Sequence, residues 1–186
     1  MTIKQILQYP NARLSTVAQP IETIDETILA LAVDLQETAK VYRAEGLAAN
    51  QVGELVRMFV IKDAITEEYI TCINPEILAA KTDLLDSMEG CLSFPGVNQK
   101  VKRSEAVHAR YQDEGGQVVE VWFTGVNAIA YQHELDHLNG ILFTEHMGKL
   151  QKRMALKKLT KVQRHGKRQF KHMQKILAEA ERRATV

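Results

Sequence analysis

Between Ile24 and Tyr42 the apolar residues Ile28, Leu31, Leu35 and Val41 recur at near-helical spacing, an imperfect stripe that predicts a helix. Ahead of it, Gln5 to Leu7 forms a short lead and Tyr9-Pro10-Asn11-Ala12 reads as a turn. Gly46 interrupts the chain after the helix. From Val56 to Val60 and from Tyr69 to Ile73 the pattern predicts strands, with a turn starting at Asn74-Pro75. Ser104 to Tyr111 and Gln117 to Phe123 form two more candidate strands, and Asp113-Glu114-Gly115-Gly116 between them is a hairpin signal.

A second helix is expected over Val126 to Leu138, with Thr124 placed to cap its free amides and Gly140 to close it. Val126, Ile129, Ala130, His133 and His137 make one stripe along it, so the two histidines should face the core. The fold expected is α+β, with antiparallel strands around this helix. After Phe143 the chain becomes a helix-compatible tail, where Met154, Leu156, Leu159, Val162, Phe170, Met173, Ile176 and Leu177 punctuate the charges. Gly166 is expected to bend or divide that tail, because glycine weakens a helix interior.

With 186 residues and 45% apolar composition, the chain suits one compact domain plus an appendage, divided here as residues 1–148 and 149–186. Its net charge of +1 hides a division. Lys149 to Arg183 holds thirteen of the 24 Lys/Arg but only two acids, leaving eleven bases and twenty-one acids elsewhere. Such sorting suggests a polyanionic partner for the tail, since evenly spaced cations can follow RNA phosphates. An amphipathic helix packed on the domain would show the same pattern. Cys72 and Cys91 are expected to be reduced, and the N-terminal residues lack an apolar signal segment. No apolar run approaches a membrane span, so a cytoplasmic location is expected, with neither DNA nor membrane as partner.

The segment His133-Glu134-Leu135-Asp136-His137 places two imidazoles one helical turn apart with a carboxylate beside the first. That is the spacing of a divalent-metal site next to a proton acceptor. Two nitrogens leave such an ion under-coordinated, and a third ligand is needed. His146 lies nine residues beyond His137 on a polar stretch, while Cys91 lies upstream in Glu89-Gly90-Cys91-Leu92-Ser93. A thiolate would complete a Cys/His/His set and leave a position for water, although an isolated cysteine is also an ordinary small core residue.

Taken in order, Gly46-Leu47-Ala48-Ala49-Asn50-Gln51, Glu89-Gly90-Cys91-Leu92-Ser93 and His133-Glu134-Leu135-Asp136-His137 resemble the three motifs of the peptide deformylases. The resemblance runs from about Leu7 to Phe143. It implies hydrolysis of the N-formyl group from formyl-methionine on newly made proteins. Cys91, His133 and His137 would then hold the metal, Glu134 would act as general base and acid, and Gln51 with the Leu92 amide would stabilise the oxyanion. The family commonly uses Fe2+, with Zn2+ or Ni2+ as substitutes, and its C-terminal helix can contact the ribosome. Glu89 is expected to pair with Arg103 and lock the Cys91 loop, and Asp136 to orient a ligand histidine or simply to be solvated. A methionine pocket is expected from Phe94, Val126, Ile129 and Ala130, with Gly46 and small Ala48-Ala49 giving the peptide close access.

One stretch departs from the family pattern. Where glycine, an apolar residue and glycine usually precede Leu-Ala-Ala, this chain has Ala44-Glu45-Gly46. Ala44 would be strained only at positive φ, and Glu45 would be costly only if buried without a partner. The altered groove and the basic tail leave a second reading, a deformylase-like protein that binds ribosomes without catalysis; a zinc endopeptidase is a third, against which Cys91 and the other two motifs argue.

Overall fold

The computed structural model describes residues 2–184 and, in the last helix, side chains as far as Gly166 together with Arg168. Its order is α1 (Glu26–Tyr42), β1 (Gly46–Ala48), β2 (Met58–Lys62), β3 (Tyr69–Ala80), β4 (Leu84–Gly90), β5 (Asn98–Ser104), β6 (Ala106–Gln112), β7 (Val118–Thr124), α2 (Gly125–Leu138) and α3 (Lys149–Ala184). Short 3-10 turns at Ala12–Ser15, Ala49–Val52 and Phe143–His146 connect them. Asp25 caps α1 by accepting the Ile28 N–H at 2.9 Å, and Arg43 ends it in the left-handed conformation.

Five strands form one antiparallel sheet in the order β1-β2-β3-β6-β7, while β4 and β5 form a separate antiparallel ribbon. Strand β2 shows how the sheet is buried. Phe59 and Ile61 enter the cluster shared with Ala128, Tyr131 and Leu138 of α2. Met58 and Val60 enter the cluster shared with Leu35 and Ala39 of α1. Covering both faces makes Met58-Phe59-Val60-Ile61 an unbroken apolar run rather than an alternating one. A third cluster joins Leu14, Phe94, Val101 and Phe143 to Ala155 and Leu159 of α3.

The α+β architecture and the metal-bearing helix agree with expectation; several local details do not. Asn74-Pro75 is no turn, because β3 continues through it with a register shift between Ile73 and Glu76. Asn74 takes φ 51°, a conformation asparagine tolerates, and the Pro75 ring, which has no N–H, fits such a bulge. Gly166 does not divide α3, which runs unbroken. Thr124 occupies the N-cap position of α2, but its side chain makes no capping bond. The apolar residues Phe170, Met173, Ile176 and Leu177 lie outside the residues whose side chains are described.

Candidate metal centre

Helix α2 presents two working faces. Ala128, Tyr131 and Leu138 pack on the sheet, and the Tyr131 hydroxyl, shared between the Glu76 and Arg110 carbonyls at 3.1 and 3.2 Å, fixes the helix over the β3 bulge. Val126, Ile129, Ala130 and His133 line a cavity of about 860 Å3, with Val126 52% exposed at its mouth and Ala130 also packed in the first core. The other walls come from β1, the Cys91 loop and the last residues of β4.

Where Cys91 and His133 line the cavity, a sulfur of Cys91 and nitrogens of His133 and the buried His137 lie within 4.8 Å of one another. Cys91 Sγ stands 3.2 Å from His137 Nε2. His133 Nδ1 is engaged by Glu89 Oε2 at 2.8 Å, which leaves its Nε2 as the ring atom available to the cluster. These donors fit a divalent transition ion: one thiolate, two imidazoles and room for a further ligand. The electrostatics agree. Burial alone would lower the His133 pKa, yet hydrogen bonds to Cys91 and Glu89 and the nearby Glu134 charge raise it well above its usual value, so a bound ion would take the place of a proton on this ring. Burial, reinforced by His133 and Arg103, holds His137 well below its usual value and keeps it in the neutral, ligating form. His146, the other candidate third ligand, lies elsewhere, with its Nε2 2.8 Å from Asp136 Oδ2.

Glu134 is buried beside the ligands, and burial raises its pKa to about 7. Its Oε2 has no hydrogen-bond partner among the described residues. The carboxylate lies directly against Gly46, where a Cβ would fall 2.6 Å from Glu134 Oε1 and 2.7 Å from Cγ. Glycine is therefore required here for close approach rather than for an unusual φ. Gln51 is 2% exposed. Its Oε1 accepts the Ala48 N–H at 2.9 Å, which turns Nε2 toward Ser93 Oγ at 3.3 Å and Cys91 Sγ at 3.5 Å. Leu92 lines the same cavity.

Behind the ligands, Arg103 makes the expected pair with Glu89 in bidentate form, Nε to Oε1 at 2.7 Å and Nη2 to Oε2 at 3.0 Å. Its remaining Nη1 donates to Asp136 Oδ2 at 2.6 Å. Burial opposes ionisation of Glu89, but the His133 and Arg103 hydrogen bonds and the Arg103 charge prevail and lower its pKa to about 2. Asp136 thus orients no ligand histidine directly; Glu89 does so, and Asp136 holds Arg103.

Other assignments shift. Phe94 does not line the cavity: it is 1% exposed, stacked on Tyr9 and edge-on to Phe143, so it backs the wall from the third core. Ala48 and Ala49 are fully buried in two core clusters, where their small size serves packing. Ala44 escapes strain because the left-handed residue at this corner is Arg43. Glu45 lines the cavity rim with its side chain exposed. Sequence reasoning passed over Asn50, whose Nδ2 donates to the His137 carbonyl at 2.5 Å and ties the Gln51 turn to the ligand helix. Its only signal was its place inside the first motif.

The profile of the Polypeptide deformylase family matches residues 3–153. A peptide deformylase of Novosphingobium aromaticivorans is 37% identical over 186 residues, covering 88% of this chain and 99% of that protein. The Azotobacter vinelandii peptide deformylase is 41% identical over 168 residues, covering 89% and 100%. Among solved structures, a peptide deformylase from Legionella pneumophila superposes with TM-score 0.85 at 38% identity, covering 90% of this chain and 99% of that one. The Ehrlichia chaffeensis enzyme in complex with actinonin gives 0.84 at 31%, covering 88% and 99%.

Proposed function

The chain belongs to the polypeptide deformylase family and carries its metal-dependent activity on formyl-methionine termini, and we propose the following division of labour among its residues. That membership sets aside the endopeptidase and nonenzymatic readings. Cys91, His133 and His137 hold one divalent ion, Fe2+ in the native enzyme with Zn2+ or Ni2+ as substitutes. When bound, such an ion supplies Lewis acidity, lowering the pKa of water and polarising a carbonyl. Glu134 takes the proton from the attacking water as the new C–O bond forms at the formyl carbon. It returns that proton to the departing amine nitrogen as the C–N bond breaks, giving formate and a free amino terminus. A carboxylate with pKa about 7 suits both directions of transfer near neutrality. The Gln51 Nε2 group and the Leu92 N–H stabilise charge developing on the formyl oxygen, with Gln51 pre-aimed by its bond from Ala48.

Two strand edges frame the substrate. Among the described residues β1 pairs only with β2, and β4 only with β5, while Gly46 of the first and Ser87 to Gly90 of the second line the cavity. An extended peptide can bond to such edges through its backbone, largely independent of sequence. The methionine side chain enters between Val126, Ile129 and Ala130, and Glu45 stands where later residues of the peptide leave.

The observation that carries this reading is the convergence of Cys91, His133 and His137 donors within 4.8 Å, beside a cavity that Cys91, His133 and Glu134 line. The decisive experiment is anaerobic assay of the iron-loaded protein on formyl-Met peptides, with metal content measured alongside. Turnover in wild type and its loss in metal-replete Glu134→Gln support the assignment. Equal turnover in the two proteins overturns the Glu134 role.

We further propose a functional division into catalytic residues 1–148 and a basic extension, 149–186, that contacts ribosomal RNA. Lys157, Lys158, Lys161, Arg164 and Arg168 line an open groove along α3, and all are exposed. Tethering there would place the catalyst near emerging formylated chains in the cytoplasm. No helix among the described residues is long and apolar enough to cross a membrane. Because Ala155 and Leu159 belong to the third core, a truncation testing the tether should begin after Arg168 rather than at Lys149, combined with Lys→Glu changes at positions 157, 158 and 161. Ribosome binding should weaken and lose salt dependence while small-peptide hydrolysis persists; unchanged binding across a salt series rejects the tether.

A further inference from the structure

The chain of bonds behind His133 does not stop at Arg103. Glu89 holds His133 Nδ1, Arg103 grips Glu89 with two nitrogens, Asp136 Oδ2 accepts the third Arg103 nitrogen, and the same Oδ2 meets His146 Nε2 at 2.8 Å. Side-chain exposure rises along it, from 5% at Glu89 and Arg103 to 18% at Asp136 and 35% at His146. His146 ends the 3-10 turn Phe143–His146, whose Phe143 is packed in the third core, so its ring is presented to Asp136 from a fixed piece of backbone.

We infer that His146 is a positioning residue for the metal centre: its hydrogen bond to Asp136 anchors the outer end of a side-chain relay that fixes the orientation of His133. The inference rests on the Cys91/His133/His137 reading. Without the imidazole, Asp136 can turn toward water, and Arg103 then loses a fixed acceptor on the side opposite Glu89. The Glu89 carboxylate remains paired, but with one fewer restraint on the arginine that aims it. The consequence lies in how tightly the ligand set keeps its ion, since partners behind metal ligands commonly govern retention. His146 is the fourth side chain behind the ligand and is partly exposed, so the effect should be modest, roughly two- to fivefold.

Cobalt(II) is a suitable probe, because its visible absorption reports ligand geometry and its release to a chelator can be timed. Wild type, His146→Ala, His146→Gln and the neighbouring Glu145→Ala are loaded to one equivalent and compared, with thermal melting as a check on folding. Glutamine keeps an N–H at a similar reach from the backbone. The expected result is faster cobalt release and a shifted absorption band in His146→Ala, recovery of both in His146→Gln, and no change in Glu145→Ala. Release at the wild-type rate in His146→Ala overturns the inference, as does equal acceleration in all three variants. Equal acceleration in both His146 variants alone also overturns it, by showing that ring packing matters and the hydrogen bond does not. Failure of the wild type to bind one equivalent would overturn the metal-site reading itself, which distinguishes the two.

Discussion

Helix α2 carries two acids and two histidines and α3 a long series of bases, and the two helices place them oppositely. On α2 the ionisable groups turn inward, each against a named neighbour: Glu134 on Gly46, His133 on Glu89, Asp136 on Arg103. On α3 the described basic residues Lys157, Lys158, Lys161 and Arg164 face solvent, while Ala155 and Leu159 dock the helix. Buried charges act at short range, where a low local dielectric magnifies each contact and each error. Exposed charges act collectively and are screened by salt within about 10 Å. The acids and histidines of α2 thus meet short-range partners, while the bases of α3 present the surface proposed above to meet a polyanion.

The sharpest break of this comparison is Glu134→Gln. It keeps the shape of the side chain against Gly46 and removes the proton acceptor. Turnover should fall by about 10²- to 10⁴-fold with metal content unchanged, measured as formate released per bound ion. A single substitution on the α3 surface, such as Lys158→Gln, should leave that rate unaltered. Next comes Arg103→Leu, which strands the buried Glu89 carboxylate. Chemical denaturation should show a loss of about 3–5 kcal/mol, because removing one partner leaves the other charge uncompensated. A loss no larger than that of a surface ion pair would mean water replaces the guanidinium. Leu159→Ala tests the docked side of α3. At 2% exposure it should cost about 2–4 kcal/mol, against less than about 0.5 kcal/mol for Lys158→Ala on the outer face. Equal effects would dissolve the distinction between the two sides.

How far this arrangement could be read in advance depended on where each residue's partners lie. The ligands were legible because the motifs bring their own spacing: His133 and His137 share a helical face whatever surrounds them. Strands β2, β6 and β7 and the first part of β3, as far as Ile73, were legible as apolar runs and a glycine-rich hairpin. The β4-β5 ribbon was not, since most of its residues are exposed and its inward positions include Glu89 and Arg103 beside Val101, giving no apolar alternation. Without that ribbon, the Glu89–Arg103 pairing could be expected from the family resemblance, but not its continuation to Asp136 and His146. Phe94 was misplaced for a related reason. It follows the Cys91 motif closely in sequence, yet the turn from Cys91 to Phe94, closed by the Phe94 N–H on the Cys91 carbonyl at 2.9 Å, sends its ring into the third core.

Glu45 lies between the two regimes, on the rim of the catalytic cavity but open to solvent. Its backbone carbonyl accepts the Lys62 N–H at 2.8 Å, so the β1 entry is fixed whatever side chain it carries. Exposure avoids the burial penalty that an acid in a groove would incur, so the fold tolerates it and the ligands do not feel it. What remains is its charge, set beside Arg43 of opposite sign on the same rim. Glu45→Ile leaves Arg43 alone and should move the preference among formyl-Met peptides away from basic and toward acidic residues after the methionine. The change should be about two- to tenfold, as expected for one unit charge acting through water at a few ångströms. It should lie in kcat/KM through KM, with kcat for a neutral peptide held, and should shrink as salt is raised. A profile identical to wild type across acidic, neutral and basic peptides would remove Glu45 from specificity. A fall in kcat on the neutral peptide would instead place it with Glu134 and Gly46, among the short-range contacts of the buried site.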